Sequence, residues 1–135
     1  MAKKRTLCGF ALVGHLLLAP TISFAGAANF DGVVPKKLKT YADDFGLCTV
    51  TVDVNLNTDG NAALACGNTV NLSFVCGGLE DPESGDTIIS KQAGNINWQA
   101  VQLAYVTGKK INFRAYDNYQ LNGTVCYADR VIVRD

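Results

Sequence analysis

The chain has 135 residues, with 12 lysines and arginines, 12 aspartates and glutamates, one histidine and five cysteines. This length suits one domain rather than two once an N-terminal targeting segment is removed. The charges balance in the full chain and leave about −3 once that segment is removed, which argues against non-specific binding of nucleic acid, because such binding needs a basic surface.

The N-terminus has the three-part pattern of a secretory signal peptide. Cations at positions 3–5 precede an apolar run over residues 7–19, and Ser23 and Ala25 are small residues at the −3 and −1 positions of a cleavage site. The run is too short to cross a hydrocarbon core of ~30 Å as a helix. We therefore predict a secreted or periplasmic protein without a membrane span, cleaved after Ala25 or, as the alternative, after Ala27.

Removal of residues 1–25 changes the chemistry that is available. The mature chain keeps nine basic residues against twelve acidic ones, so its net charge is about −3. His15 is lost, and a domain without histidine cannot run a Ser-His or Cys-His mechanism or build an ordinary His-ligated zinc site. We predict no catalytic residue, no metal site and no cofactor, and hence not an enzyme.

Loss of Cys8 with the signal peptide leaves an even number of cysteines. An even count in a small exported domain is typical of disulfides, here two. The four cysteines are Cys48, Cys66, Cys76 and Cys126.

The first half of the mature chain predicts three strands. Residues 26–32 are small and polar and indicate a mobile or edge-lying arm. A first strand over residues 33–41 starts at a sheet edge because of Pro35. Apolar and polar residues then alternate over 47–54 and 69–76, which predicts two half-buried strands.

The register of these two strands indicates which cysteines are bonded, if the strands pair antiparallel and both apolar faces lie on one core. In that register Cys48 lies opposite Cys76, and cross-strand Cβ atoms ~4.5–5.5 Å apart are close to the 3.5–4.5 Å of a disulfide. This favours Cys48–Cys76 and leaves Cys66 to bond Cys126. The alternative, Cys48–Cys66 with Cys76–Cys126, stays open.

One helix is predicted in the second half. Asn97, or Asn95 before it, caps the N-terminus, apolar residues recur over 98–107, and Gly108 stands at the C′ position. Few polar residues line this helix, so we expect it to be buried or covered by a partner.

Two strands follow, over residues 111–116 and 125–134. The predicted fold is therefore mostly β, with five strands and one helix between the third and fourth, the arrangement of a small OB-fold barrel.

The residues at 55, 57, 59 and 60 have the spacing of the first half of an EF-hand loop. Cys66 stands where the required glutamate would be, and no flanking helices are predicted. A polar hairpin loop is the favoured interpretation.

Several segments resemble the B subunits of bacterial toxins built from one A chain and five B chains, such as those of subtilase cytotoxin and typhoid toxin. Residues 29–34 look like the family's Phe-Ser-Gly-Val-Val opening of the first strand, and Cys48 and Cys66 match its first two cysteines. Residues 103–111 are similar to its Tyr-x-Thr-Gly-x-x-Val step from helix to strand. The likeness extends over about residues 30–113.

The resemblance implies an OB-fold homopentamer that binds host cell-surface glycans and accompanies a toxin A chain. It also implies the Cys48–Cys66 disulfide. Asp31 stands where the family has a glycan-contacting serine, and its carboxylate would repel that of a sialic acid. Tyr116 is adjacent to Ala115, which aligns with the family's contact tyrosine.

We expect a non-enzymatic glycan-binding B subunit with Asp31 and Tyr116 as sugar contacts. The alternative is a monomeric periplasmic OB-like protein with an envelope or inhibitory role and no glycan partner.

Overall fold

A computed structural model describes residues 26–40 and 48–135. The predicted signal peptide and its favoured cleavage site lie outside the described residues. Within the described ranges, no helix is long and apolar enough to cross a membrane.

The described part of the chain forms eight strands and one helix. In chain order they are β1 (Ala27–Val33), β2 (Pro35–Thr40), β3 (Cys48–Val52), β4 (Asn71–Ser73), β5 (Leu79–Glu80), β6 (Thr87–Ile89), α1 (Lys91–Thr107), β7 (Lys110–Leu121) and β8 (Val125–Arg134). Six strands join in one sheet of order β1-β7-β8-β4-β3-β2, and β5 pairs with β6 in a separate ribbon. The pairs in the sheet are antiparallel except for β4 with β8.

The mostly β class with one helix is confirmed, but the sheet is not closed into a barrel, so the predicted OB-fold barrel is not confirmed. β1 pairs with β7 and β2 pairs with β3, which makes them the two edges of the sheet order. Only Val34 separates β1 from β2. No ladder joins β1 to β2, so the hydrogen-bonded order of the sheet ends at these two strands.

The predicted arm at 26–32 is the edge strand β1. Its alternation buries Ala28 and Phe30, and the ring of Phe30 stacks on that of Phe113 with centroids 4.9 Å apart. Pro35 begins β2, at the opposite edge of the sheet, where a missing backbone donor is tolerated.

The register of β3 with β4 differs from the predicted one by two residues. Val50 lies opposite Leu72, and the backbone N–H of Phe74 donates to the carbonyl of Cys48 at 2.8 Å. Side chains alternate with a period of two, so a shift of two keeps each of them on its predicted face. The apolar residues therefore still line the core although their partners change.

The disulfides are Cys48–Cys76 and Cys66–Cys126, with Cα–Cα distances of 5.6 and 5.5 Å. This is the pairing that the strand pattern favoured, not the one implied by the toxin resemblance. Val75 has a φ of 47°, so the chain turns out of the strand direction after β4 and Cys76 reaches Cys48.

The helix begins earlier than predicted. The hydroxyl of Ser90 caps it by accepting from the N–H of Ala93 at 3.2 Å. Neither Asn95 nor Asn97 is therefore a cap, since both lie inside the helix. The Nδ2 of Asn97 donates to the carbonyl of Asp129 at 2.8 Å and ties the helix to β8. The helix ends as predicted, with Gly108 in the left-handed conformation.

Two apolar clusters lie on opposite sides of the sheet. The main core fills the space between the sheet and α1 and includes Phe74, Val101 and Ile111. A second cluster, formed by Val75, Ile89 and Tyr127 with half-buried neighbours, lies on the outward face, next to the β5–β6 ribbon.

Candidate functional site

The side chains of β7 alternate between the core and the outward face of the sheet. Ile111, Phe113 and Ala115 are buried in the core. Asn112 and Arg114, at the intervening positions, are only partly buried on the outward face. The outward face of β7 is therefore polar where the core face is apolar.

An open groove of about 330 Å³ lies where β1, β7 and β8 meet on this face. Its lining combines amide, carboxylate and guanidinium groups with an apolar surface of similar extent. The lining residues are Asn29, Asp31, Asn61, Asn112, Phe113, Arg130 and Ile132.

Backbone groups fix two asparagines of the groove. Asn61 Oδ1 accepts from the N–H of Asn29 at 2.7 Å, and Asn112 Oδ1 accepts from the N–H of Gly32 at 2.8 Å. The Nδ2 groups of both asparagines donate to no described residue, and the carboxylate of Asp31 accepts no hydrogen bond from one. The groove thus holds two anchored amide donors and one acceptor that the fold itself does not use.

Tyr116 lies further along the outward face of β7, in a stack of side chains. Its ring is parallel to that of Tyr127 with centroids 5.2 Å apart, and Cζ of Arg114 lies 4.9 Å from its centroid. Its hydroxyl donates to Asp129 Oδ2 at 2.8 Å. Partial burial raises the pKa of Tyr116, and the hydrogen bond to Asp129 raises it further.

The two predicted sugar contacts share a face but do not meet. Tyr116 lies opposite Ala27 in the β1–β7 ladder, and Asp31 is four residues further along β1. At ~3.3 Å per residue they are ~13 Å apart. Asp31 lines the groove, whereas the hydroxyl of Tyr116 is bound to Asp129. Their role in binding sugar stays a prediction.

Sequence reasoning missed the arginines of this face. Arg114 lies directly opposite Arg130, and Lys110 lies directly opposite Arg134. One signal was present, because every arginine after residue 25 falls in the last two predicted strands. Which of them face each other depends on the register of β7 with β8, and no spacing in the sequence supplied that register.

The loop with partial EF-hand spacing closes on itself. Asp59 Oδ2 accepts from the N–H of Asn55 at 2.7 Å and Asp59 Oδ1 accepts from the hydroxyl of Thr58 at 2.8 Å. These hydrogen bonds, the one from Asn55 first, lower the pKa of Asp59. Across the described ranges, no group of three or more histidine, cysteine or acidic residues is arranged to hold a metal ion.

No protein-family model, curated protein or solved structure matches the chain. The likeness to toxin B subunits therefore rests on short sequence segments and two cysteine positions.

Proposed function

We propose that the exported domain is a non-enzymatic carbohydrate-binding module whose sugar site is the groove between β1, β7 and β8. The observation that carries the proposal is the set of polar groups without an internal partner: the amides of Asn61 and Asn112 and the carboxylate of Asp31. A sugar hydroxyl both donates and accepts, so a site with amide donors beside a carboxylate acceptor suits it.

The apolar part of the groove supports the same ligand class. Ile132 is 56% exposed opposite Asn112 and offers a surface for the C–H groups of a sugar ring. Ligand sites commonly combine such a surface with a few placed polar groups that set orientation. The groove is open and shallow, which suits one end of a glycan chain.

The strand order supports an OB-type arrangement as the finer description of the fold. When β1 and β2 are counted together as one bent strand, the main sheet has five strands in chain order: β1 with β2, then β3, β4, β7 and β8. Their spatial order is then first, second, third, fifth, fourth, and the fourth pairs with the first strand again. The helix then stands between the third and fourth strands. OB folds are partly open barrels, and oligosaccharides are among their ligands.

A homo-oligomer, in its fullest form the pentamer with a toxin A chain, is the quaternary part of the proposal. Ile96, Leu103 and Val106 are 58%, 55% and 75% exposed on α1. They follow one another at seven and three residues, which places them on one stripe of the helix. Apolar side chains at that spacing support packing of α1 against a second copy.

Glycan binding is tested with the mature chain on an array of host cell-surface oligosaccharides, followed by calorimetry on the best ligand. Asp31→Asn is expected to weaken binding about tenfold, because a hydrogen bond to a charged group contributes ~1.5–3 kcal/mol. Asp86→Asn, a carboxylate in the exposed loop between β5 and β6, is the matched control. Absence of any bound glycan at millimolar concentration would contradict the proposal.

Self-association is tested by native mass spectrometry of the mature chain and of Leu103→Ser. We expect an oligomer that dissociates in the variant. A monomer at micromolar concentration would refute the pentamer and favour the monomeric periplasmic alternative.

A further inference from the structure

Two rows of positive charge cross the outward face of the β7–β8 ladder. Arg114 lies opposite Arg130, and Lys110 lies opposite Arg134. The rows are four residues apart along β7, which is ~13 Å at ~3.3 Å per residue. We call the surface formed by both rows and the intervening pair Asn112 and Ile132 the β7–β8 face.

These pairings run against the stability of the sheet. Like charges directly opposite each other in an antiparallel ladder are destabilising. Arg130 Nε is 3.5 Å from Asp129 Oδ1, while Arg114, Lys110 and Arg134 form no ion pair with any residue that the structure describes. The fold therefore balances these charges only in part: Asp129 pairs with Arg130 and Asp31 lines the adjoining groove, while Arg114, Lys110 and Arg134 have no ion-pair partner among the described residues.

The kind of cation is informative as well. All three arginines of residues 26–135 lie on the β7–β8 face, whereas lysines are spread over the chain. A guanidinium binds carboxylate, sulfate or phosphate oxygens in a bidentate manner that an ammonium cannot reproduce. Arg114 is also held over the ring of Tyr116, which reduces the freedom that it would lose on binding an anion.

We propose that the β7–β8 face binds an anionic polysaccharide, with acidic groups ~13 Å apart held by the two rows. The uncharged part of the chain between those acidic groups lies over Asn112 and Ile132, two residues of the groove, where the Asp31 carboxylate accepts from sugar hydroxyls and keeps the acidic groups at the two rows. This inference rests on the proposed carbohydrate-binding function and adds the charge and the direction of the ligand. The domain as a whole has a net negative charge and repels a polyanion. The positive β7–β8 face is therefore where an anionic chain is attracted.

The probe is dextran sulfate, compared with uncharged dextran of the same length in calorimetric titrations of the mature chain. We expect the sulfated chain to bind and the neutral one not to. Arg114→Gln/Arg130→Gln is expected to lower the affinity about tenfold or more, because two charge-assisted contacts are lost. Lys110→Gln/Arg134→Gln, at more exposed positions, tests the second row in case the first variant folds poorly.

The matched control is Lys36→Gln/Lys37→Gln, which removes the same charge from exposed positions on the edge strand β2. Less than about a twofold change is expected, because those charges lie outside the β7–β8 face. An equal loss in the control and in the arginine variant would overturn the inference in favour of general charge attraction. Equal affinity for duplex DNA would overturn the assignment to a polysaccharide.

The two proposals fail in different ways. A neutral glycan that binds and is lost in Asp31→Asn, with no binding of dextran sulfate, would overturn this inference and leave the proposed function intact. Dextran sulfate binding that depends on the arginine rows, with Asp31→Asn without effect on any glycan, would instead overturn the role of the groove.

Discussion

The outward face of the β7–β8 hairpin has two halves that differ in what covers them. In the half nearest the turn, the β5–β6 ribbon lies alongside, and Tyr127 is buried with Val75 and Ile89. In the other half, Asn112 and Arg114 are only partly buried, and Arg130 is exposed. The same alternating pattern thus forms a second core at one end and an open polar groove at the other.

The two halves also differ in whether their polar side chains have hydrogen-bond partners within the chain. In the covered half, Tyr119 donates to Asp81 Oδ2 at 2.8 Å and Tyr127 donates to Asn118 Oδ1 at 3.1 Å. In the open half, the amides of Asn61 and Asn112 keep donors that no described residue accepts. The polar groups of the covered half are thus paired within the chain, whereas those of the open half are free to contact water or the proposed ligand.

The largest effect is expected where the covered half is attached to the helix. A Cβ at Gly94 would lie 2.2 Å from the carbonyl oxygen of Val75, a backbone atom that cannot move aside. Gly94→Ala should therefore lower the free energy of unfolding by about 3 kcal/mol, as overpacking in a core does. Urea unfolding measures it.

The control for this variant is Gly85→Ala, in an exposed loop. Gly85 has a φ of +76° and nothing near the position of a Cβ, so only backbone strain of about 1–2 kcal/mol is expected. Equal losses in the two variants would show that the close approach of α1 to Val75 does not hold the covered half in place.

A smaller effect is expected at Tyr116, on the boundary between the halves. Tyr116→Phe removes the hydrogen bond to Asp129 and should lower the free energy of unfolding by about 1 kcal/mol. The ring and its stack on Tyr127 remain, so glycan affinity should be unchanged. Tyr105→Phe, on the exposed side of α1, is the control, with a change within about 0.5 kcal/mol.

A loss of glycan affinity in Tyr116→Phe without a loss of stability would contradict a purely structural role of the Tyr116 hydroxyl. It would place the Tyr116 hydroxyl on the ligand and not on Asp129. Chemical unfolding and calorimetry on the same samples decide between the two.

The pattern of the sequence predicted which face each strand residue occupies, but not the offset between strands. Alternation has a period of two, so it cannot distinguish the observed pairing of Val50 with Leu72 from one shifted by two residues. The cysteine pairing was predicted from a register that differs from the observed one by two residues. The pairing is nevertheless correct, because the turn at Val75 brings Cys76 back to Cys48.

The first residue of α1 and the pairing of the arginine rows could not be predicted from the sequence, for related reasons. Residues 91–97 contribute only Gly94 to the buried side of the helix, so no apolar period marks that segment. The meeting of Arg114 with Arg130 depends on a register that shifts just beyond Arg114. Irregularities of this kind arise from the packing of the whole sheet, not from local spacing.

The smallest expected effect lies at the edge of the covered half and depends on pH. Asp81 accepts from the N–H of Glu83 and from the hydroxyl of Tyr119, both at 2.8 Å. These hydrogen bonds, the one from Glu83 first, hold the pKa of Asp81 below its ordinary value. A lowered pKa stabilises the fold above about pH 4 and ceases to do so as the pH falls through the folded-state value.

Asp81→Asn should therefore be less stable than wild type at pH 7 and equal to it at about pH 2.5, below the ordinary pKa of the carboxyl group. Urea unfolding at the two pH values measures the difference, and Asp86→Asn from the same loop is the control. A stability difference that is the same at both pH values would mean that the ionised carboxylate does not hold the loop.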